Sequence, residues 1–322
     1  MKTHMNSTAA SDSTGTVPAF DLAILQETLD HITREAYGWL AFITVICIVT
    51  CPLTTSMNAL IIIAVKTKNQ LKTKSNIALA CLSTTDLAMG VIGKPLYISE
   101  VIAELQGNTS STYCIRTLLA TIVLRVLGIA SLSHLAMVNL ERYIAIKHAL
   151  RYETIVTEKR LTCLSSLLWI ILLTITVSLS FFDENTYLRV DTIFMSLCIT
   201  TIIFCQVVLY HETRRHQKEI AAGQFSMEAR EKFLRAKKAF KLTTMILFSL
   251  ILCYLPFIVA QMLISKSVIN SVNLVYIALF TGRTVALFNS MVNPIIYCVR
   301  IRQFRVAFIQ LLFRKSRLKM IH

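Results

Sequence analysis

Residues 240–264 read FKLTTMILFSLILCYLPFIVAQMLI, a run whose one charge is Lys241. A helix of about 20 mostly apolar residues crosses about 30 Å of hydrocarbon, so this run is long enough to span a membrane. Comparable runs occupy roughly 39–64, 76–103, 114–146, 160–182, 191–211 and 271–298. Lipid offers no partner to bare backbone N–H and C=O groups, so each run must be helical. A β-barrel would instead show short segments of alternating polarity. The expected fold is all-α: a seven-transmembrane helix bundle. Composition agrees, because a soluble domain of 322 residues that is 55% hydrophobic and 16% charged would expose large apolar patches.

The basic residues orient the bundle. Of 33 Lys and Arg, 24 fall in four stretches, 66–74, 147–160, 214–241 and 300–319, which follow the odd-numbered spans. The positive-inside rule then places the N-terminus outside and the C-terminus inside, with the first span as the insertion signal. A net charge of +15 also suits a nucleic-acid binder, but here the charge alternates with spans and forms no separate domain. The chain divides into an extracellular tail (1–38), the bundle (39–300), and a cytoplasmic end (301–322). No cleavable signal peptide is expected, because the first residues lead into a Ser/Thr-rich polar stretch. Two glycosylation sequons, at Asn6 and Asn108, both fall on the expected outer side. Of nine cysteines, only Cys114 lies near the outer surface, and no outer loop offers it a partner, so a free thiol is expected.

Polar residues at membrane depth are costly, and each is a candidate functional residue. Glu141-Arg142-Tyr143 closes the third span and leads into Ile-Ala-Ile-Lys-His-Ala-Leu150-Arg-Tyr152. An arginine there could merely snorkel, but the acid beside it suggests a pair. Asp86, with no basic residue one turn away, must be protonated or paired with a cation. Asn58, Ser131, Asn289, Ser290 and Asn293 supply oxygens in other spans. Asn293-Pro294-Ile295-Ile296-Tyr297 lies near the inner end of the last span, where proline frees a carbonyl and allows a hinge. Arg302 to Phe313 mixes basic residues with Phe304, Phe308, Leu311 and Leu312, the pattern of a short amphipathic eighth helix. No cysteine follows it to carry a palmitoyl anchor. Cys253-Tyr254-Leu255-Pro256 supplies a second proline kink in span six.

Taken in order, Asn58, Asp86, Arg142, Trp169, Pro256 and Pro294 fall one to a span, and over roughly residues 40–312 the chain resembles the rhodopsin-like (class A) G-protein-coupled receptors. Span five departs from the family's pattern, with Ile202 at its centre and no proline. The resemblance implies a receptor that passes an extracellular signal to a heterotrimeric G protein. It implies that Glu141 holds Arg142 at rest and that Leu150 contacts the G protein. On activation Pro256 lets span six swing outward, and Tyr210 moves in beside Tyr297 and Arg142. Tyr143, Asn293 and Pro294 complete the switch, and Tyr254 stands in place of the family's tryptophan toggle. An allosteric sodium ion is implied at Asp86, Ser131, Asn289 and Asn293; the residues alone equally allow a protonated Asp86 bonded to Asn. No other cofactor is expected.

The short loop between spans four and five, without cysteine, is similar to that of the melanocortin, cannabinoid, lysolipid and adenosine receptor group. The acids that melanocortin receptors use are replaced by Leu96, Thr117 and Thr121. Leu124 occupies the place of the amine-pairing aspartate, and Leu287 that of the retinal-binding lysine. Two cations remain, Arg125 and Arg283. With Leu124, Tyr254, Phe257 and Gln261 they are read as a pocket for an anionic lipid, small molecule or peptide. Internal pairing of these arginines with Glu100 or Glu104 is the competing reading. Basic residues at Arg235, Lys237 and Lys238 would also meet anionic membrane lipid. The expected location is the plasma membrane.

Other classes fare less well. A transporter would show broken helices or repeated halves. An enzyme would need a catalytic cluster, and His134, the one histidine deep in a span, suits a structural hydrogen bond. A receptor-like chain that signals without ligand, or not at all, stays open on Tyr254 and the missing outer disulfide.

Overall fold

The computed structural model describes residues 34–106, 111–148, 151–179, 184–221, 227–265 and 271–313. Asn6, Asn108, Leu150 and the side chain of Cys114 lie outside the described residues. Seven helices are long and apolar enough to cross a membrane. They are α1 (Arg34–Thr67), α2 (Lys74–Leu105), α3 (Ser111–Lys147), α4 (Glu158–Leu179), α5 (Glu184–Ala221), α6 (Met227–Ser265) and α7 (Val272–Arg300). A shorter helix, α8 (Arg302–Phe313), follows. Helix α1 starts earlier than the apolar run. Ala36 is fully buried beside Tyr276 and Ile277, and Glu35 sits in the first turn, where the helix dipole favours an acid.

The bundle is a membrane protein's inversion of a soluble core. Large apolar side chains face outward, as at Phe248 (66% exposed) and Ile193 (69%), while Asn58, Asp86 and His134 are fully buried. In water such a surface would drive aggregation; in lipid it is the solvated face. Helix α3 packs against α2, α4, α5 and α6, and α7 closes the ring against α6, α1 and α2. Two glycines permit the closest approaches. A Cβ at Gly282 would lie 2.7 Å from the Cα of Phe257 on α6, and one at Gly90 would lie 2.6 Å from Thr55 Oγ1 on α1. In α8, Phe304, Ala307 and Phe308 are buried and Arg302 and Arg305 exposed, so it is amphipathic as its sequence suggests.

Helix α2 is not a uniform helix. Residues Met89–Gly93 form a π turn, and the Lys94 N–H donates to Met89 O. The cause follows at Pro95, which lacks an N–H and whose ring would collide with the carbonyl four residues back. Widening the preceding turn accommodates it. The bulge also changes what faces inward. Eight residues on, at about 100° each, Lys94 would sit about 80° around the helix from Asp86. Absorbing about one residue in the wide turn brings it to within about 20° of the same face.

Candidate functional site

Three polar layers occupy the bundle. At the Arg142 end, Glu141 and Arg142 are both buried, and Arg142 Nε lies 3.3 Å from Glu141 Oε2, an ion pair rather than an aligned hydrogen bond. Ser75 on α2 ties the two together: its hydroxyl accepts from Arg142 Nη1 at 2.5 Å and donates to Glu141 Oε1 at 2.9 Å. The Tyr152 hydroxyl, from a single helical turn between α3 and α4, donates to the same carboxylate oxygen at 2.5 Å. Burial and the neighbouring Glu141 push the Tyr152 hydroxyl above its ordinary range, so it remains a donor at neutral pH. Lys74 pairs with Glu153 at 2.5 Å and lies 5.1 Å over the Tyr152 ring, docking that turn on α2.

The other switch residues stand apart from Arg142. Tyr210 is 47% exposed and accepts from Arg214 Nε at 3.2 Å. Tyr297 is fully buried against Phe304, and its hydroxyl has no partner. Tyr143 lies 6.1 Å from Phe204 on α5. A second link was not anticipated: Gln206 on α5 donates to Asn139 Oδ1 on α3 at 2.6 Å and accepts from Thr244 on α6 at 3.2 Å. Three helices are thereby joined by one buried amide, and the interior's low dielectric strengthens such bonds. None of these three residues belongs to a recognisable string. Only an amide inside an apolar run could have marked them.

At mid-depth, Asn293 Nδ2 donates to Asp86 Oδ2 at 2.8 Å, and the Ser131 hydroxyl lies 3.5 Å from Oδ1. Asn58 donates to Ser290 O at 2.9 Å and to Thr54 O at 3.0 Å. The side-chain oxygens of Asn58, Asn289 and Asn293 are buried without a partner. Orphaned buried oxygens cost free energy, and three of them with a carboxylate form a donor set suited to a small hard cation. Tyr254 reaches toward α3, its hydroxyl 3.5 Å from where a Cβ on Gly128 would be.

At the opposite end, Arg283 donates to Glu100 Oε1 at 3.1 Å, the internal pairing that was the competing reading for this arginine. Glu100 is almost wholly buried, and its Oε2 has no partner. Tyr97 donates to Phe280 O at 2.9 Å, and Tyr276 stacks on Phe280. Leu124 joins the apolar cluster of Tyr97, Phe280 and Leu287; Phe257 is half-buried and Gln261 exposed. The structure thus places Leu124 and Arg283 around the same Tyr97–Phe280 wall. His134 hydrogen-bonds Ala130 O and Ser165 Oγ, both at 2.8 Å, a structural role.

A seven-helix membrane bundle with a buried acid–arginine pair at one end and a carboxylate at mid-depth is a receptor architecture. A profile of the 7 transmembrane receptor (rhodopsin family) matches residues 57–191 and 181–297, and the chain belongs to that family. It is 25% identical over 284 residues to the adenosine receptor A3 of Ovis aries, covering 79% of this chain and 84% of that one. It is 25% identical over 327 residues to the histamine H2 receptor of Cavia porcellus, covering 92% and 83%. Against the melanocortin receptor 5 of Rattus norvegicus it is 28% identical over 185 residues, covering 56% and 55%. The protein is a G-protein-coupled receptor.

Proposed function

We propose that this receptor sits in the plasma membrane with its N-terminus extracellular, and answers a ligand that carries an acidic group. The orientation rests on the 24 basic residues gathered on one side. The ligand class rests on Arg283, whose side chain is 27% exposed while Glu100 engages one Nη of the five guanidinium donors. The remaining fork suits a carboxylate or phosphate. Arg125, Leu124, Tyr254, Phe257 and Gln261 complete the pocket in this reading. The ligands named for the three relatives differ, at nearly equal identity, and an amine of the histamine kind would find Leu124 where it needs a carboxylate.

Signalling then works through two bundle states separated by a few kcal/mol, biased by ligand at one end and by G protein at the other. At rest, Ser75, Glu141 and Tyr152 hold Arg142. On activation α6 swings about Pro256, Tyr210 and Tyr297 converge on Arg142, and Leu150 meets the G protein. Asp86, Ser131, Asn289 and Asn293 would hold a sodium ion, and positive charge at that site would favour the resting state. The basic stretch containing Arg235, Lys237 and Lys238 meets anionic lipid, and Asn6 and Asn108 carry glycans. No catalytic role is assigned, since both ring nitrogens of His134 serve structural hydrogen bonds.

The test is a screen of carboxylate- and phosphate-bearing lipids, small acids and peptides in cells reading several G-protein classes. An acidic agonist should lose at least tenfold in potency on Arg283→Gln, with surface expression unchanged. An agonist without an acidic group, unaffected by that substitution, would overturn the reading.

A further inference from the structure

Lys94 is a buried cation that neither the family motifs nor the pocket reading uses. Its side chain is 1% exposed, at membrane depth. The amine reaches α1, 2.7 Å from Thr54 Oγ1, 3.3 Å from Thr50 Oγ1 and 3.5 Å from Thr50 O. Both hydroxyls have already spent their protons, Thr54 on Thr50 O at 2.8 Å and Thr50 on Cys47 O at 3.3 Å. Each therefore presents a lone pair, and the three oxygens match the three donors of an ammonium. The Phe288 ring on α7 lies 5.9 Å away, a cation–π contact. No acid forms an ion pair with Lys94 among the described residues; the carboxylate it interacts with electrostatically is Asp86. The thiols of Cys47 and Cys51 are its other titratable neighbours.

Lys94 is also linked to the Asp86 pocket through Thr54. Thr54, whose hydroxyl oxygen accepts from the Lys94 amine, also accepts from Asn58 Nδ2 at its carbonyl, and Asn58 is one of the three amides with an orphaned oxygen. The π turn is what turns Lys94 to this face. A fixed positive charge on the rim of a cation site repels a mobile cation, and in a low-dielectric interior that repulsion is poorly screened.

We propose that Lys94 is a tethered cation of the Asp86 pocket: it weakens sodium there and itself supplies charge that steadies the resting bundle. The proposal rests on the reading of Asp86 as a cation site. The test is the melting temperature of purified receptor in lipid nanodiscs, in sodium chloride against N-methylglucamine chloride at equal ionic strength. Wild type should melt at nearly the same temperature in both salts. Lys94→Met and Lys94→Gln should gain a sodium-specific stabilisation of several degrees, lost again on adding Asp86→Asn. Lys94→Arg, which keeps the charge, should stay insensitive to sodium. Equal sodium stabilisation of wild type and the neutral variants would overturn the role of Lys94 and leave the cation site standing. No sodium effect in any form would overturn the cation site itself, and the proposal with it. Should neither neutral variant fold alone, each is tested in the Asp86→Asn background: recovery of a folded receptor there supports Lys94 as the counter-charge of Asp86, and continued failure to fold overturns it.

Discussion

The two ends of this bundle hold their arginines differently. Arg142 is 11% exposed and engaged by Ser75 and Glu141, with Tyr152 donating to the same Glu141 oxygen as Ser75. Arg283 is 27% exposed and hydrogen-bonded to one oxygen of Glu100, whose other oxygen has no partner. The first is a four-residue network in which Arg142 Nε and Glu141 Oε2 meet only as an ion pair, costly to open and suited to a switch. The second is a half-satisfied pair, suited to being completed by something else. Each acid has one buried oxygen without a hydrogen bond, so the contrast lies in the number of ties: several hydrogen bonds from two other elements rigidify the first site, and one leaves the second easier to rearrange.

The comparison breaks most readily at Arg142. Arg142→Ala should abolish G-protein activation in a cell assay at undiminished surface expression; unchanged signalling would remove the switch from the account. Next in size is Gly282→Val. The added Cβ meets backbone of α6 rather than a flexible side chain, so overpacking of about 1–3 kcal/mol should appear as a lowered melting temperature. Gln206→Leu cuts the α3–α5–α6 link and leaves Asn139 Oδ1 without the donor it has now, while its Nδ2 keeps Leu135 O. A loss of about 1–2 kcal/mol from the resting state alone corresponds to about five- to thirty-fold in its balance with the active one, read as raised basal nucleotide exchange. If basal exchange stayed flat, that amide would be structural in both states. The smallest effect is expected from Tyr152→Phe, which removes one of the hydrogen bonds to Glu141 and should raise basal exchange by a few-fold at most.

Legibility in the sequence followed the same division. The seven spans were readable because a membrane helix must be apolar over its whole length, and each of the described helices α1–α7 takes in most of one run. Arg142, Asp86 and Asn293 were readable because charge or amide at that depth has to be explained. Ser75, Asn139, Gln206 and Thr244 were not, since their roles arise only when three or four helices converge. Lys94 escaped for a sharper reason. A search for a basic partner one helical turn from Asp86 assumes a regular α-helix, and the π turn before Pro95 sets Lys94 over Asp86 two turns away. The pairing of Arg283 with Glu100 rather than Glu104 likewise depends on the relative height of α2 and α7, which no spacing within one helix encodes.

The claim that binds these parts is that the Arg142 network opens when α6 moves. Spin labels at Lys72, on the exposed chain before α2, and Lys238, on the exposed face of α6, measure that movement directly. With nucleotide-free G protein bound, the distance distribution should gain a longer population that Arg142→Ala removes. A single distance, the same with and without G protein, would contradict the account.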